Sequence, residues 1–333
     1  MDPLTQGILG ATLPQASNKS EHSLVAGLLG FLSGMAADLD VLIRSNTDPL
    51  LFLEYHRQFS HALVFIPVGG LICATVLYHL LARRWSVSFK RCWLYCTLGY
   101  ATHALLDACT TYGTQLFWPF SDIRIAWNTM SIIDPLYTLP LVLLVLLSAL
   151  KKNNRYAQMA LIWALSYPML GLIQRDRAEQ AGLALTQQRQ HIPIRLEAKP
   201  SFANLLLWKV VYETEDRFYI DAIRVGTSAN HYEGESVSKL NLAKDFSWLK
   251  PDMQQAKDIE RFRWFSNGYI ARDPSNLNRI IDVRFSLVPN EAEALWAIEL
   301  SPAAKESDHV SYITARDMSQ ERTDLFKRML FNR

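Results

Sequence analysis

The sequence predicts a multi-pass α-helical membrane domain followed by a small soluble β-rich domain of the α+β class. Up to about residue 175 the chain is apolar with few charges outside its loops, whereas the remainder is polar and charged throughout. Five apolar segments in the first part approach the length that crosses a bilayer. Alternating apolar and polar residues in the second part are typical of strands. We therefore expect a helical membrane domain at 1–175, a linker at 176–200 and a soluble domain at 201–333.

The five predicted spans are joined by loops that carry most of the charged residues. A spanning helix needs about 20 mostly apolar residues, and small residues in the first span favour close helix packing. His103 and Asp107 make the third span less apolar, and Pro168 predicts a kink in the fifth. Before the spans, residues 3–16 form a short apolar helix that would cross only part of a bilayer. The predicted spans are 23–43, 62–82, 92–111, 133–150 and 156–173.

Basic residues are concentrated in loops that fall on one side of the predicted bilayer. The positive-inside rule assigns that side to the cytoplasm, so the polar ends of the first four spans face outward. A fifth span would place the C-terminal domain outside as well, although Arg175 and Arg177 directly after it favour the opposite side. The residues that set this orientation are Lys19, Arg83, Arg84, Lys90, Arg91, Lys151, Lys152 and Arg155.

The C-terminal domain is expected to fold from short strands and one helix. Glu215-Asp216 separates two strand-like runs, and Asn267-Gly268 is a turn signal. A short helix is predicted within 246–265. The predicted strands lie within 203–226, 261–273, 279–289 and 293–302.

Charge and cysteine content exclude two classes of protein. The formal net charge of +2 over 333 residues gives no electrostatic footprint for nucleic acid. The cysteines all lie in the apolar part and form no CxxC pair, so they predict neither a disulfide framework nor a cysteine metal site. They are Cys73, Cys92, Cys96 and Cys109.

Histidines and aspartates recur at the predicted outer ends of the spans. Imidazole and carboxylate groups are the usual ligands of zinc, and also of manganese and iron. Because charged groups beside a span are costly, they indicate a functional site. The set exceeds the needs of one ion, so we expect one or two divalent metal ions, with zinc favoured. The candidate metal ligands are Asp38, Asp40, His56, His61, His103, Asp107 and Asp134.

Spacing distinguishes the members of this set. His103 and Asp107 are four apart and project from one helix face. Asp38 and Asp40 diverge on a helix, so both can be ligands only if the helix ends there or if one of them supports a ligand. Asp40 is also a candidate catalytic group, since an unligated carboxylate can accept a proton from water. Arg57 is a candidate catalytic residue that contacts phosphate, or else an ion-pair partner.

An ordered set of motifs resembles the YdjM-like family of bacterial inner-membrane metal-dependent hydrolases, some of which are LexA-regulated. The motifs are "MDPLTQGILGA", "DLDVL", "HRQFSHAL", "HALLDACTTYGTQLFWPFSD" and "SIIDPLY". The resemblance covers about 1–175, with a weaker likeness around "NLLLWKVVYET". It implies a multi-pass protein of the bacterial inner membrane with hydrolase activity.

The same resemblance carries a ligand set over to this chain. It implies that His56, His61, His103, Asp107 and the Asp38/Asp40 pair occupy the acidic and histidine positions of the family. The chain departs from the pattern at Gln6, where many members have histidine, and at Ala37, where they have proline. Gln6 would then be a weaker neutral ligand or would donate a hydrogen bond to a ligand.

Three functions are compatible with these features. The first is a metal-dependent hydrolase that acts on a phosphoester or lipid-linked substrate at the outer face, with membrane lipids as its surroundings. The second is a non-catalytic membrane scaffold or regulator with a structural metal site. The third is a metal or proton transporter, which the absence of a visible inverted repeat disfavours. The sequence leaves the oligomeric state open.

Overall fold

The computed structural model of the protein describes residues 1–17, 22–315 and 319–331, so Lys19 lies outside the described residues. The chain forms two compact units. Unit 1 comprises Met1–Ile43, Tyr55–Leu172 and Phe202–Asn204. Unit 2 comprises Arg44–Glu54, Ile173–Ser201 and Leu205–Arg333.

Unit 1 is helical, and 3-10 turns interrupt it near the polar residues. Its 3-10 segments are Ala36–Leu42, Phe59–His61, Leu63–Phe65 and Ala82–Trp85. Helices of the whole described chain are α1 (Pro3–Ser17), α2 (Ser23–Gly34), α3 (Leu51–Tyr55), α4 (Ile66–Leu80), α5 (Phe89–Cys109), α6 (Pro135–Lys151), α7 (Arg155–Gln188), α8 (Leu242–Asp245), α9 (Gln254–Phe265) and α10 (Gln320–Phe331).

Three segments of the described chain are long and apolar enough to cross a membrane: Ser23–Leu42, Leu63–Leu80 and Arg155–Gln188. They correspond to predicted spans one, two and five. The other two predicted spans correspond to α5 and α6. Helix α5 is not apolar enough, because it contains basic and buried polar residues, and α6 is too short, with only 17 residues. The fifth predicted span continues into the predicted linker as the single helix α7, and residues 195–200 at the end of that linker form strand β1.

Helix α1 is largely buried, and it packs against α2, α5 and α6. Glycines permit the close approach, as the small residues of the first span predict. A Cβ atom on Gly30 would collide with the carbonyl oxygen of Gly10, and one on Gly99 would collide with that of Gly30. The short N-terminal helix therefore lies in the interior of the bundle and places Gln6 among buried side chains.

Unit 2 contains two four-stranded antiparallel sheets in which the strands follow chain order. Apolar strand residues, among them Val211, Phe218, Ile220 and Ile281, form a core together with Tyr269, which directly precedes β5. The first sheet is β1 (Arg195–Pro200), β2 (Leu207–Glu213), β3 (Arg217–Val225) and β4 (Ala229–Ser238). The second is β5 (Ile270–Arg272), β6 (Arg279–Asp282), β7 (Trp296–Glu299) and β8 (Ser311–Thr314).

Several local predictions for unit 2 are confirmed and others are wrong. Residues 214–216 connect β2 to β3, and Asn267-Gly268 is a turn with positive φ at both residues. The strand predicted at 261–273 is wrong for 261–265, which belong to α9, because Ile259, Phe262 and Phe265 place an apolar stripe on one face of that helix, but 270–272 form strand β5. The predictions do not include β1, β4, β8, α8 and α10. Strand β4 lacks an apolar alternation because its residues are mainly polar and it contains Gly234.

Candidate metal centre

Three segments of unit 1 carry the candidate ligands. Helix α2 ends at Gly34, and a 3-10 segment then carries Asp38 and Asp40, which satisfies the condition that the helix must end there. His61 ends the 3-10 turn Phe59–His61. His103 and Asp107 lie one turn apart on the last part of α5.

Four ligand atoms converge on one point. The Nε2 atom of His61 lies 3.5 Å from Oδ1 of Asp38 and 3.2 Å from Oδ2 of Asp107. The Nε2 atom of His103 lies 3.3 Å and 3.5 Å from the same two oxygens. In a tetrahedral site with bonds of about 2.0–2.2 Å, neighbouring ligand atoms are about 3.3–3.6 Å apart. The four His–Asp distances match that spacing, and all four atoms lie within 4.8 Å of one another, so they are close enough to share one zinc-sized cation.

Three of these four atoms make no hydrogen bond within the described part of the chain, which tests whether a cation fits. Nε2 of His61, Nε2 of His103 and Oδ2 of Asp107 are buried and make no hydrogen bond to any described residue. A buried polar atom without a partner costs roughly 1–3 kcal/mol. A cation at the centre would give all three atoms a partner, so the donor set fits a divalent metal ion.

Hydrogen bonds at the far side of each imidazole fix the direction of the Nε2 lone pairs. His103 Nδ1 lies 2.6 Å from the carbonyl oxygen of Gly34, which can only accept, so the proton is on Nδ1. His61 Nδ1 lies 3.2 Å from Oδ2 of Asp40 and 3.0 Å from Oγ of Ser60. Such contacts orient metal-binding histidines and set their tautomer.

Asp40 lies at the edge of the cluster and accepts several hydrogen bonds. Oδ2 accepts from the backbone N–H of Arg57 at 2.9 Å and from Oγ of Ser60 at 2.8 Å. Oδ1 lies 2.8 Å from Nδ1 of His56. Asp38, Asp40 and His56 form a second group that could hold a metal. The 2.8 Å contact within it is a hydrogen bond and is shorter than the usual spacing of two ligands, so Asp40 and His56 are better placed to support the site than to ligate.

Asp134 is not part of either group of candidate ligands within the described residues. It caps α6 through Oδ1, which accepts from the backbone N–H groups of Leu136 and Tyr137. Its Oδ2 accepts from the hydroxyl of Tyr167 at 2.7 Å. The structure therefore places Asp134 apart from the converging ligand atoms and gives it the role of N-cap at the Asp-Pro start of α6.

Cationic and polar groups surround Asp107. Nε of Arg57 lies 3.0 Å from Oδ2, and the amino group of Met1 pairs with Oδ1. The side-chain amide of Gln6 donates to Oδ1 at 2.8 Å, so Gln6 supports a candidate ligand. The contacts of Met1 and Ser60 carried no signal in the sequence beyond the position of Ser60 directly before His61.

Electrostatics favour positive charge at the centre. Burial opposes protonation of His61, but the carboxylates of Asp107, Asp38 and Asp40 outweigh burial and raise its pKa to about 10. A metal ion would compete with that proton for the same carboxylates. Burial lowers the pKa of His56, so this imidazole is neutral at pH 7.

The cluster is enclosed on one side and accessible on the other. The side chains of His61, His103 and Asp107 are fully buried, whereas those of Asp38 and His56 are 22% and 18% exposed. Structural metal sites are closed by their ligands, and catalytic sites retain an accessible position. Access here is from the side of Asp38 and His56.

Comparison with known proteins places the chain in a family. A family model described as the YdjM inner membrane protein matches residues 1–178. The chain is 37% identical over 98 residues to the inner membrane protein YbcI of Escherichia coli (strain K12), which is 28% of this chain and 54% of that protein. It is 25% identical over 142 residues to the uncharacterized protein YfhP of Bacillus subtilis (strain 168), which is 40% of this chain and 42% of that protein.

The chain spans about half the length of the curated relatives it matches. No solved structure matches it. The matched residues 1–178 contain all the candidate ligands and more than half of the chain. The chain therefore belongs to the YdjM inner membrane protein family.

Proposed function

We propose that the chain is a membrane-bound metal-dependent hydrolase that acts on a phosphoester or lipid-linked substrate at the outer face of the inner membrane. The observation that carries the proposal is the convergence of two buried imidazole nitrogens and two carboxylate oxygens within 4.8 Å of one another. When bound, a divalent cation supplies Lewis-acid chemistry, because it acidifies water and polarises an ester or phosphoryl oxygen.

The residues around the ligands have separate tasks. Gly34 and Asp40 hold the two histidines with their Nε2 atoms toward the centre. Asp40 also binds Nδ1 of His56 through Oδ1, which leaves Nε2 of His56 as the basic atom of a partly exposed imidazole. This arrangement suits a general base that is oriented by a carboxylate. His56 therefore replaces Asp40 as the group proposed to accept a proton.

Access to the centre separates the hydrolase from a purely structural site. A structural site needs no exposed ligand, whereas Asp38 is partly exposed beside His56. Exposed apolar side chains flank Asp38 on the same 3-10 segment, with Leu39 at 63% and Leu42 at 75%. An amphiphilic substrate could therefore approach the accessible side of the site with its acyl chains in lipid.

Metal content followed by turnover tests the proposal. The full chain, purified in detergent and dialysed against zinc, manganese or iron, is assayed for bound metal by mass spectrometry. It is then assayed with a soluble phosphodiester and with phospholipids. We expect about one or two ions per chain and metal-dependent turnover. His103→Ala and Asp107→Ala should lose both, because each removes a ligand.

His79→Ala is the matched control, since His79 is an exposed histidine near the end of α4. It should retain metal and turnover. A wild-type chain without metal under every condition, or a His103→Ala chain that retains it, would contradict the metal site. Stoichiometric metal without turnover on any substrate would instead support the scaffold with a structural site.

A further inference from the structure

Two arginines and a tyrosine lie beside the candidate metal centre. The guanidinium carbon of Arg57 is 4.9 Å from the ring centroid of Tyr112, and that of Arg124 is 5.3 Å from it. The ring of His56 packs edge-on against the same tyrosine, with 5.5 Å between centroids. Contacts of this kind hold guanidinium groups in fixed positions. Tyr112 therefore joins both arginines to the residue proposed as the general base.

Arg57 is a buried cation that Asp107 only partly satisfies. Its side chain is 5% exposed, and Nη1 donates to Oγ1 of Thr110 at 3.1 Å. Nε lies 3.0 Å from Oδ2 of Asp107 but makes no hydrogen bond to any described residue. If Oδ2 of Asp107 donates to a metal ion, that oxygen has less charge to offer Arg57. Metal binding would therefore leave the guanidinium available for another anion.

The backbone of Arg57 is held in a costly conformation. Its φ of 63° lies in the left-handed region, which a non-glycine residue adopts at a cost of about 1–3 kcal/mol. Two hydrogen bonds enforce it: the N–H donates to Asp40 at 2.9 Å, and the carbonyl accepts from Gln115 at 3.0 Å. Such strain is concentrated at functional sites. The left-handed backbone conformation directs the Arg57 side chain toward Asp107.

Arg124 reaches the same region from a loop that follows α5. Its Nη2 donates to the backbone carbonyls of His56 at 3.2 Å and Gly113 at 3.1 Å. Thr114 and Ile125 form an antiparallel bridge that closes the loop. Gly113, with φ of 91°, lies so close to Arg124 that a Cβ atom there would be 2.9 Å from Cβ of Arg124. The loop is therefore built to bring this arginine next to His56.

We infer that Arg57, Arg124 and Tyr112 form an anion subsite that takes the phosphoryl group of the substrate when the metal ion is bound. The inference rests on the proposed function, and it narrows the substrate class to compounds with a phosphoryl group and names the residues that bind that group. A planar guanidinium matches two oxygens of a phosphate, and two such groups beside a divalent cation suit its negative charge. The phosphoryl group can belong to a lipid headgroup or to a soluble phosphate.

Binding measurements separate this subsite from the activity. Orthophosphate is titrated into the full-length, detergent-solubilised chain by calorimetry, with and without metal. A parallel titration uses dihexanoyl phosphatidic acid below its micelle concentration. We expect both anions to bind the metal-loaded chain and neither to bind detectably after chelation. Tighter binding of the short-chain lipid would assign the subsite to a lipid headgroup. Equal binding of the two anions would mean that the subsite recognises the phosphate group alone.

Variants then identify the residues. We expect Arg124→Gln and Tyr112→Leu to weaken phosphate binding about 10-fold or more, with metal content unchanged. Arg57→Lys keeps the charge but loses the planar fork, so it should weaken binding by a similar factor. Arg83→Gln, which changes an exposed arginine in the loop after α4, is the control and should bind as wild type does.

Two outcomes would overturn the subsite, and both differ from failure of the proposed function. One is metal-loaded protein that does not bind either anion. The other is phosphate binding that Arg57→Lys, Arg124→Gln and Tyr112→Leu leave unchanged. By contrast, a chain that binds phosphate through Arg57 and Arg124 but holds no metal would retain the anion subsite and overturn its dependence on metal together with the hydrolase.

Discussion

The carboxylate of Asp40 connects two histidines: Oδ2 lies 3.2 Å from Nδ1 of His61, and Oδ1 lies 2.8 Å from Nδ1 of His56. A single side chain therefore orients a candidate ligand and the candidate base. Such support commonly contributes a factor of about 10–100 to metal affinity. Asp40 acts in this arrangement through the histidines and does not need to touch the metal.

Asp40→Asn should weaken metal binding about 10- to 100-fold without abolishing it, because the amide cannot accept hydrogen bonds with both of its polar atoms. Competition with a chromogenic chelator measures the change. Asp134→Asn is the matched control, since Asp134 is equally buried but caps α6. It should lower stability and leave metal affinity unchanged. Equal affinities for Asp40→Asn and wild type would exclude the orienting role.

Part of this site follows from the sequence alone. The spacing of His103 and Asp107 predicts one helix face, and both side chains contribute to the same cluster. The same pattern groups Asp134 with the candidate ligands, whereas in the structure it caps α6, consistent with its Asp-Pro pair being a helix-start signal. A sequence cannot reveal which of two chemically suitable carboxylates caps a helix, because that depends on which helices pack together. The contacts of Gln6 with Asp107 depend in the same way on the buried position of α1.

The segment Arg44–Glu54 shows a second limit of the sequence. Its length and polarity predict an ordinary loop between spans, yet it belongs to unit 2. Arg261 on α9 binds Asp48 with two hydrogen bonds, of 2.9 and 2.8 Å, and also binds Glu54. These partners lie more than 200 residues apart in the chain. No local pattern could predict them.

Arg261→Lys should loosen this segment, because a lysine cannot form the paired hydrogen bonds with Asp48 and reach Glu54 as well. We expect faster amide hydrogen exchange at 46–54, equivalent to about 1–2 kcal/mol of lost protection. Arg263→Lys is the control, since its partner Glu260 is exposed. It should exchange as wild type does. Unchanged exchange in Arg261→Lys would mean that apolar packing alone holds the segment.

Lys209 predicts a pH-dependent stability of unit 2. Its Nζ donates to Oγ of Ser286 at 2.8 Å and to the carbonyl of Glu291 at 2.9 Å. Burial lowers its pKa from its ordinary value to about 7. Between pH 7 and the unfolded value of about 10.4, the unfolded chain binds a proton that the folded chain does not. Stability should therefore rise with pH in this range, by at most about 1.4 kcal/mol per pH unit.

Thermal unfolding of the detergent-solubilised chain from pH 7 to pH 9 measures this contribution. Lys209→Met should flatten the rise and stabilise the protein at pH 7, because no amine has to be buried. Lys257→Met changes an exposed lysine of α9 and should keep the wild-type slope. A slope that is the same in Lys209→Met and wild type would show that other groups cause the dependence.

Membrane orientation is the last expectation, and the loop charges carry it. The predicted outer loops 44–60 and 109–132 follow the ligand-bearing segments in the sequence and contain few basic residues, whereas the loop 81–91 contains four. The positive-inside rule then places the centre on the outer side.

Single cysteines at Thr47, Asp122 and Ser86, all exposed, test this orientation in a background in which the four native cysteines are replaced by alanine. A membrane-impermeant maleimide should label Thr47→Cys and Asp122→Cys in intact cells. It should label Ser86→Cys only after the membrane is permeabilised, which also shows that this thiol is reactive. The reverse pattern would move the metal centre to the cytoplasmic side and would require a cytoplasmic substrate for the proposed hydrolase.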